Sequence, residues 1–305
     1  MLSQMNIPKL RKERTVKKYH GYKLVDDYAY VDQPDNILDV LKDPKKLLPE
    51  VKEYLEENNK LTEEYFDDTK DLQKKLFAEI KSKIKLEDES LKFKDDRYYY
   101  WTKTVKKGNY AKYLRQKIGS QNIETYFDGD NEKELSGSKY FGVGAVSVSH
   151  DDRLMAYSVD LKGSEYYDIF LRELSTNKPI EKKIKSTSGS IVWSLDSKSF
   201  FYTPLDKFHR SKKIYRHILG TPSKEDQLIF EEKDDSYSVG ISLTSDEKFF
   251  IISSSDSNTV EEYFFLEKDE EIKPKLFQAR EKGIKYSIDS WKNYWYVHTN
   301  KNALD

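Results

Sequence analysis

Beyond Phe93 the chain alternates apolar and polar residues in short runs, the period-two pattern of strands that bury one face. The runs fall into units. A turn of the form Asp-x-Lys/Arg recurs at Asp151-Asp152-Arg153, Asp196-Ser197-Lys198 and Asp246-Glu247-Lys248, at intervals of 45 and 50 residues. Each turn opens an apolar and aromatic run, over 154–159, 199–203 and 249–253. The pattern predicts strands over 98–102, 111–118 and 124–128 in a first unit, and over 143–149, 154–159, 167–174 and 180–185 in a second. A third unit holds 190–194, 199–203, 213–219 and 227–231, and a fourth 239–243, 249–253, 262–267 and 275–279. A fifth begins with 285–288 and 294–299. A repeat of about 40–50 residues with four short strands per unit is the pattern of a β-propeller, whose closed rings hold about 4–8 blades. A β-sandwich also uses short strands at such spacing. The turn at a fixed place in successive units favours the propeller. The expectation is a mainly β domain, an incomplete propeller of about four to five blades.

The chain before residue 93 reads differently. Residues 1–46 look extended or irregular, punctuated by Pro8, Gly21, Pro34 and Pro44. Tyr19, Tyr22, Tyr28 and Tyr30 suggest that this arm lies against something. From Pro49 the apolar positions Val51, Leu55, Leu61, Leu72, Leu76, Ile80 and Ile84 fall mostly three or four apart. That spacing predicts one long helix, or two consecutive ones, with a single apolar stripe. Pro49 suits a first helical turn, and no Gly or Pro interrupts 50–92. The expected division is an arm with helices over 1–92 and a partial propeller over 93–305.

Composition narrows the function. The 305 residues suffice for about two domains. Hydrophobic residues make up 37%, below the usual share of about 45–50%, and charged residues 35%, above the usual 25% or so. Aromatic residues reach 14%, with 23 Tyr, which fits strands and argues against disorder. Lys+Arg (53) and Asp+Glu (54) leave a net charge of −1, so no global field draws the chain to nucleic acid or an anionic membrane. Residues 1–14 carry basic side chains but no apolar core, unlike a signal peptide. No apolar run approaches the ~18 residues of a membrane helix. The absence of Cys removes disulfides, thiolate metal sites and Cys nucleophiles; the simplest expected compartment is the cytoplasm, with a periplasm as the alternative.

The motifs that carry chemistry are missing from this stretch. There is no Gly-x-Ser-x-Gly nucleophile elbow. Gly137-Ser138, Gly163-Ser164 and Gly189-Ser190 lack the second glycine and read as hairpin turns. No phosphate-binding glycine loop occurs, and Gly142-Val143-Gly144 begins a strand. His20, His150, His209, His217 and His298 form no His-x-x-x-His pair, and the acidic runs lack the calcium-loop pattern. Neither a metal nor a cofactor is expected. Tyr98-Tyr99-Tyr100-Trp101 could stack bases, but without a basic stripe nearby it reads as a blade-core strand.

Several stretches, taken in order, carry a resemblance. They are His20-Gly21 with Asp26-Asp27-Tyr28-Ala29-Tyr30, Tyr54-Leu55-Glu56-Glu57-Asn58, Lys75-Leu76-Phe77-Ala78-Glu79-Ile80 and Asp96-Arg97-Tyr98-Tyr99-Tyr100. Further on come Gly144-Ala145-Val146-Ser147-Val148-Ser149, Leu154-Met155-Ala156-Tyr157-Ser158-Val159-Asp160, Gly163-Ser164-Glu165 and Thr187-Ser188-Gly189-Ser190-Ile191-Val192-Trp193. Tyr215-Arg216-His217, Leu219-Gly220-Thr221-Pro222 and Gly283-Ile284-Lys285-Tyr286-Ser287 follow. In this order and spacing the chain resembles the N-terminal part of the prolyl oligopeptidase family of serine peptidases, within it the oligopeptidase B (protease II) branch. Tyr30 stands where the family more often shows Trp, a change between two large aromatics.

The resemblance implies an α/β-hydrolase domain split in sequence by a seven-bladed propeller, with the Ser-Asp-His triad after the propeller. It implies that the arm and helices belong to the hydrolase side, and that two to three blades and the whole triad lie outside residues 1–305. The implied activity is cleavage of short peptides after Lys or Arg, with the propeller restricting access. The implied partners are short peptide substrates and the hydrolase domain. One residue carries a family role: Glu165 matches a propeller acid at the cleft facing the hydrolase domain, where it can pair with basic residues. The plainer alternative for Glu165 is a surface glutamate on a hairpin. For the whole chain the alternative is a non-catalytic propeller fragment that binds peptides or proteins, or a truncation with no role of its own.

Overall fold

The computed structural model describes residues 6–33, 39–40, 43–267 and 271–303. The chain divides into two compact units, residues 1–89 with 104–107, and residues 90–103 with 108–305.

The first unit opens with a hairpin of β1 (Thr15–Tyr19) and β2 (Tyr22–Asp26). Its turn, His20-Gly21, has positive φ at both residues (48° and 85°), the geometry that matches strand twist. This regular hairpin lies inside the arm expected to be extended or irregular. Sequence alternation does not reveal it because Val16, Tyr19, Tyr22, Leu24 and Val25 are all exposed. Arg11 joins the arm to the helices: Nε is 2.9 Å from Glu50, and the guanidinium lies 4.4 Å from the Tyr30 ring centre.

Two helices follow, α1 (Pro49–Tyr65) and α2 (Lys70–Ser82), separated by a 3₁₀ turn at Asp67–Thr69. Pro49 occupies the start of α1. The break falls at Asp67-Asp68, acids that disfavour a helix C-terminus and favour the start of the next helix. Val51 is buried, but Leu72, Leu76, Ile80 and Ile84 are exposed and no residue of α2 is buried. The helices end at Ser82, well before residue 92, and a two-residue strand β3 (Asp88–Glu89) follows.

The second unit is a succession of antiparallel meanders. The first sheet runs β4 (Phe93–Asp95), β5 (Tyr98–Thr104), β6 (Lys112–Lys117) and β7 (Ile123–Asp128). A short helix α3 (Gly129–Ser136) leads on, with the Asp128 carboxylate capping its start and Gly137 its end. The second sheet is β8 (Gly142–Val148), β9 (Leu154–Asp160), β10 (Tyr167–Glu173) and β11 (Ile184–Thr187). The third is β12 (Val192–Trp193), β13 (Ser199–Tyr202), β14 (Lys213–Ile218) and β15 (Gln227–Glu231). The fourth is β16 (Ser238–Leu243), β17 (Phe250–Ser255), β18 (Val260–Phe265) and β19 (Lys275–Gln278). β20 (Tyr286–Trp291) and β21 (Tyr294–Thr299) form the last hairpin. β11 starts later than its expected 180–185: the chain first meets β10 in an isolated bridge of Pro179 with Arg172, and the ladder begins only at Ile184.

The sheets are blades. The opening strand β12 touches both β8 and β16, and a space of about 420 Å³ is lined by first-to-second-strand turns of four successive sheets, among them Asp96, His150, Leu195 and Glu247. The repeated turn owes its fixed place to one device. In Ser149–Leu154, Ser194–Ser199 and Thr244–Phe249 a Ser or Thr hydroxyl donates to the Asp two residues on. The same Asp accepts the N–H of Arg153, Lys198 or Lys248. The residue between, Asp152, Ser197 or Glu247, sits in the left-handed region at φ 55–60°. Asp96 and Lys292 hold the same conformation in the shorter turns of the first and fifth sheets.

The second strand of each central blade is buried on both faces, which explains its nearly unbroken apolar run. Phe200 of β13 enters a core with Ala156, Ile169 and Trp193, whereas the next residue, Phe201, enters a core with Phe250, Ile252 and Phe265. Met155, Tyr157 and Val159 of β9 pack with Phe127 of the first blade, and Ile251 of β17 packs with Tyr286 and Ile288 of the fifth. Each core therefore joins consecutive blades. Burying one such Phe or Ile stabilises by about 1.5–3 kcal/mol.

Candidate functional site

The loops from second to third strand lie at the blade ends opposite the repeated turns. In three blades each begins with an Asp that folds the loop back onto itself. Asp160 Oδ1 accepts the N–H groups of Lys162 (2.8 Å) and Gly163 (3.1 Å), and Oδ2 that of Glu165 (2.7 Å). Asp206 Oδ1 accepts from Phe208 (2.8 Å) and Arg210 (3.0 Å), and Asp256 Oδ1 from Asn258 (2.7 Å) and Thr259 (2.6 Å). Side chains of this kind replace backbone partners in tight loops.

Glu165 stands in the first of these loops, exposed, with φ 57°. The left-handed region costs a non-glycine residue about 1–2 kcal/mol, offset here by the bonds to Asp160. Among the described residues no hydrogen bond or ion pair engages its carboxylate. The neighbouring blade steadies the loop: His209 Nε2 is 3.2 Å from the Ser164 carbonyl, its ring meets Tyr166 edge-on at 4.7 Å, and the Tyr166 hydroxyl donates to the Asp206 carbonyl (3.1 Å). Sequence reading singled out Glu165 but missed Asp160, Asp206 and His209. The available signal was an Asp at or within four residues of the end of the second strand in three successive blades.

Beside this ridge, a space of about 420 Å³ opens between the Asp206–Lys213 loop and residues 231–235. Its charges are paired, with Arg210 bound to Asp206 (3.0 Å) and Asp235 (3.2 Å), and Lys213 to Glu231 (3.3 Å). Glu232 is nearly buried. Burial would raise its pKa, but bonds from Ser254, the Asp234 N–H and Arg280 outweigh that and hold it near 2. Arg280 also binds Glu261 (3.0 Å) and lies 3.9 Å from the Tyr237 ring centre.

The histidines stay apart. His217 is buried, with Nδ1 2.7 Å from Asp226 and Nε2 2.9 Å from Glu181. Both ring nitrogens are occupied, so it cannot serve a nucleophile. His150 lies in a turn, 4.0 Å from Glu247. Tyr100 and Trp101 of β5 are buried in the first blade. Among the described residues no group of three or more His, Asp or Glu is placed to hold a metal ion, and no helix is long and apolar enough to cross a membrane. Among the described residues no nucleophile and base are assembled on these loops.

Sequential four-stranded meanders with radially adjoining first strands define a β-propeller domain. Residues 8–305 match the family model described as the prolyl oligopeptidase N-terminal β-propeller domain, and the chain belongs to that family. It is 29% identical to dipeptidyl aminopeptidase BI of Pseudoxanthomonas mexicana, over 96% of this chain and 41% of the relative. It is 25% identical to protease 2 of Moraxella lacunata, over 99% of this chain and 43% of the relative. Among solved structures it is similar to oligopeptidase B of Trypanosoma brucei with covalently bound antipain, in its closed form (TM-score 0.81, 28% identity, 97% of this chain and 43% of that one). Oligopeptidase B of Leishmania major shares the fold (TM-score 0.83, 24% identity, 98% and 43%). The chain thus spans about two fifths of the length of the relatives it matches.

Proposed function

We propose that these residues are the propeller portion of a serine-type peptidase of the oligopeptidase B kind, which cleaves short peptides after Lys or Arg. In this reading the helices at residues 49–82 pack on an α/β-hydrolase domain, and the propeller limits entry to short peptides. The observation that carries it is the family match over residues 8–305, joined by similarity to protease 2 and to an antipain-bound oligopeptidase B. The free carboxylate of Glu165, held out on a tied loop, supports a place for it at the cleft, where it pairs with a basic group of the hydrolase domain.

The test is a peptidase assay on the longest natural polypeptide that carries residues 1–305. Reporters ending in Arg or Lys are cleaved and those ending in Pro are not. A preference for Pro overturns the reading. Release of dipeptides from a free N-terminus supports instead a dipeptidyl aminopeptidase, which the 29% relative favours. In the same polypeptide Glu165→Ala lowers kcat/KM by ~5–30-fold, between the effect of an exposed ion pair and that of a desolvated one. Its melting temperature stays nearly unchanged, because the side chain packs in no core. Unchanged turnover returns Glu165 to a solvated hairpin residue.

A further inference from the structure

The loop that carries Glu165 is followed by a half-buried ring packed tightly against two glycines. Two residues after Glu165, Tyr167 begins β10, and its side chain lies against both glycines, Gly144 of β8 and Gly189 of the loop after β11. A Cβ on Gly144 would stand 2.9 Å from Tyr167 Cδ1 and 2.5 Å from Ser158 Oγ. A Cβ on Gly189 would stand 2.9 Å from Tyr167 Cγ and 3.2 Å from Ser158 Oγ. Real Cβ atoms do not approach this closely, so any side chain at either position moves the ring. Gly189 also has φ 89°, but Gly144 has no positive φ, so there the requirement is space alone. The pairing of β8 with β9 shifts register between Val143 and Val146, which brings Gly144 to this place.

Hydrogen bonds fix the backbone around this half-buried ring. Ser158, fully buried, donates to the Gly189 carbonyl (2.7 Å) and accepts the Ala145 N–H (2.8 Å). The Thr187 hydroxyl donates to the Tyr167 carbonyl (3.0 Å) and accepts the Gly189 N–H (3.1 Å). Glu165 is therefore bracketed by Asp160 on one side and by the seated Tyr167 on the other, and only its carboxylate is free.

We propose that Tyr167, with Gly144 and Gly189 as its seat, is the positioning element for Glu165, setting where that carboxylate stands relative to whatever basic group it meets. The inference rests on the cleft role of Glu165 proposed above, but the placement itself can be read without activity.

Hydrogen exchange on the longest natural polypeptide that carries residues 1–305 provides that readout. In Gly144→Ala and in Tyr167→Leu, the amides of Lys162, Gly163 and Glu165 exchange about tenfold faster or more, while those of Ile251 and Ile252 keep their protection. Tyr167→Phe, which keeps the ring, leaves the loop as it was. Loop exchange unchanged in both Gly144→Ala and Tyr167→Leu overturns the proposal. If Gly144→Ala also exposes Ile251 and Ile252 it has unfolded, and Tyr167→Leu alone decides. Turnover of Arg-ended reporters then separates the two readings. If Glu165→Gln slows turnover, Tyr167→Leu slows it in the same sense and Tyr167→Phe does not, and a Tyr167→Leu variant at full rate overturns the positioning role. If Glu165→Gln turns over at the normal rate, the cleft role fails while the exchange result still stands on its own.

Discussion

His217 ties the second blade to the third. Burial alone would lower its pKa, but the hydrogen bonds to Asp226 and Glu181 outweigh burial and push it up to about 9. The network extends to the Tyr202 hydroxyl on Asp226 (2.7 Å) and the Gly220 N–H on Glu181 (2.9 Å). A raised folded pKa means that this stabilisation is complete below about 6.5 and is lost as pH rises through about 9. Unfolding measured between those limits shows the decline, and His217→Gln abolishes it while costing about 3–5 kcal/mol at neutral pH, as removal of one partner from a buried pair does. Glu262 has the same sign for another reason. It is buried between the fourth and fifth blades, where its Oε2 accepts the Ile288 N–H (2.7 Å), and burial pushes its carboxyl up to about 7. Its contribution is present below about 4.5 and falls as pH rises through about 7, so Glu262→Gln is expected to flatten stability across that window. A stability profile for Glu262→Gln that still falls there refutes the assignment. Neither residue was visible in the sequence as anything but a polar strand position, because their partners, such as Glu181 and Ile288, come from neighbouring blades.

At the scale of elements, the repeated turn was the most legible feature, because its Ser/Thr and Asp act within a few residues of each other. The predicted run 227–231 matches β15 and 294–299 matches β21, and most others fall within a few residues. The same turn predicts a mutational effect. Asp246 accepts from Thr244 (3.0 Å), the Lys248 N–H (3.3 Å) and Ser290 of the next blade (2.5 Å). Asp246→Ala leaves those donors to water or to nothing and costs about 1–3 kcal/mol, read as a lower denaturant midpoint at constant slope. A midpoint unchanged within error removes the turn as a stabilising device. The Thr15–Asp26 hairpin was illegible for the opposite reason: its strands bury neither face, so no alternation marks them. The helical stripe, read to Ile84, ends two residues beyond α2.

For the molecule as a whole, the sequence disclosed the propeller but not the ridge. Glu165 came from resemblance and Asp160 acts within five residues of itself, whereas His209 and Tyr167 became meaningful only once segments distant in sequence were neighbours. Residues 1–305 produced on their own are expected to hydrolyse neither Arg- nor Lys-ended reporters and to take no label from a serine-directed phosphonate, for want of an elbow serine. Stoichiometric labelling would contradict this. The same polypeptide exposes Leu72, Leu76, Phe77 and Ile80 on α2, and Tyr294 and Tyr296 on β21, which among the described residues pairs with β20 alone. Exposed apolar faces and open strand edges both promote association. Sedimentation is expected to show concentration-dependent self-association, and a monodisperse monomer with a sharp melt counts against it.

The cores between blades have a mechanical consequence. Each joins only consecutive blades, so an arc of them resembles a chain of couplings in series. Couplings in series carry the same tension, so the weakest of them yields first. The arc therefore peels one blade at a time, and each release frees the 45–50 residues between successive turns, a length gain of about 150–180 Å per step.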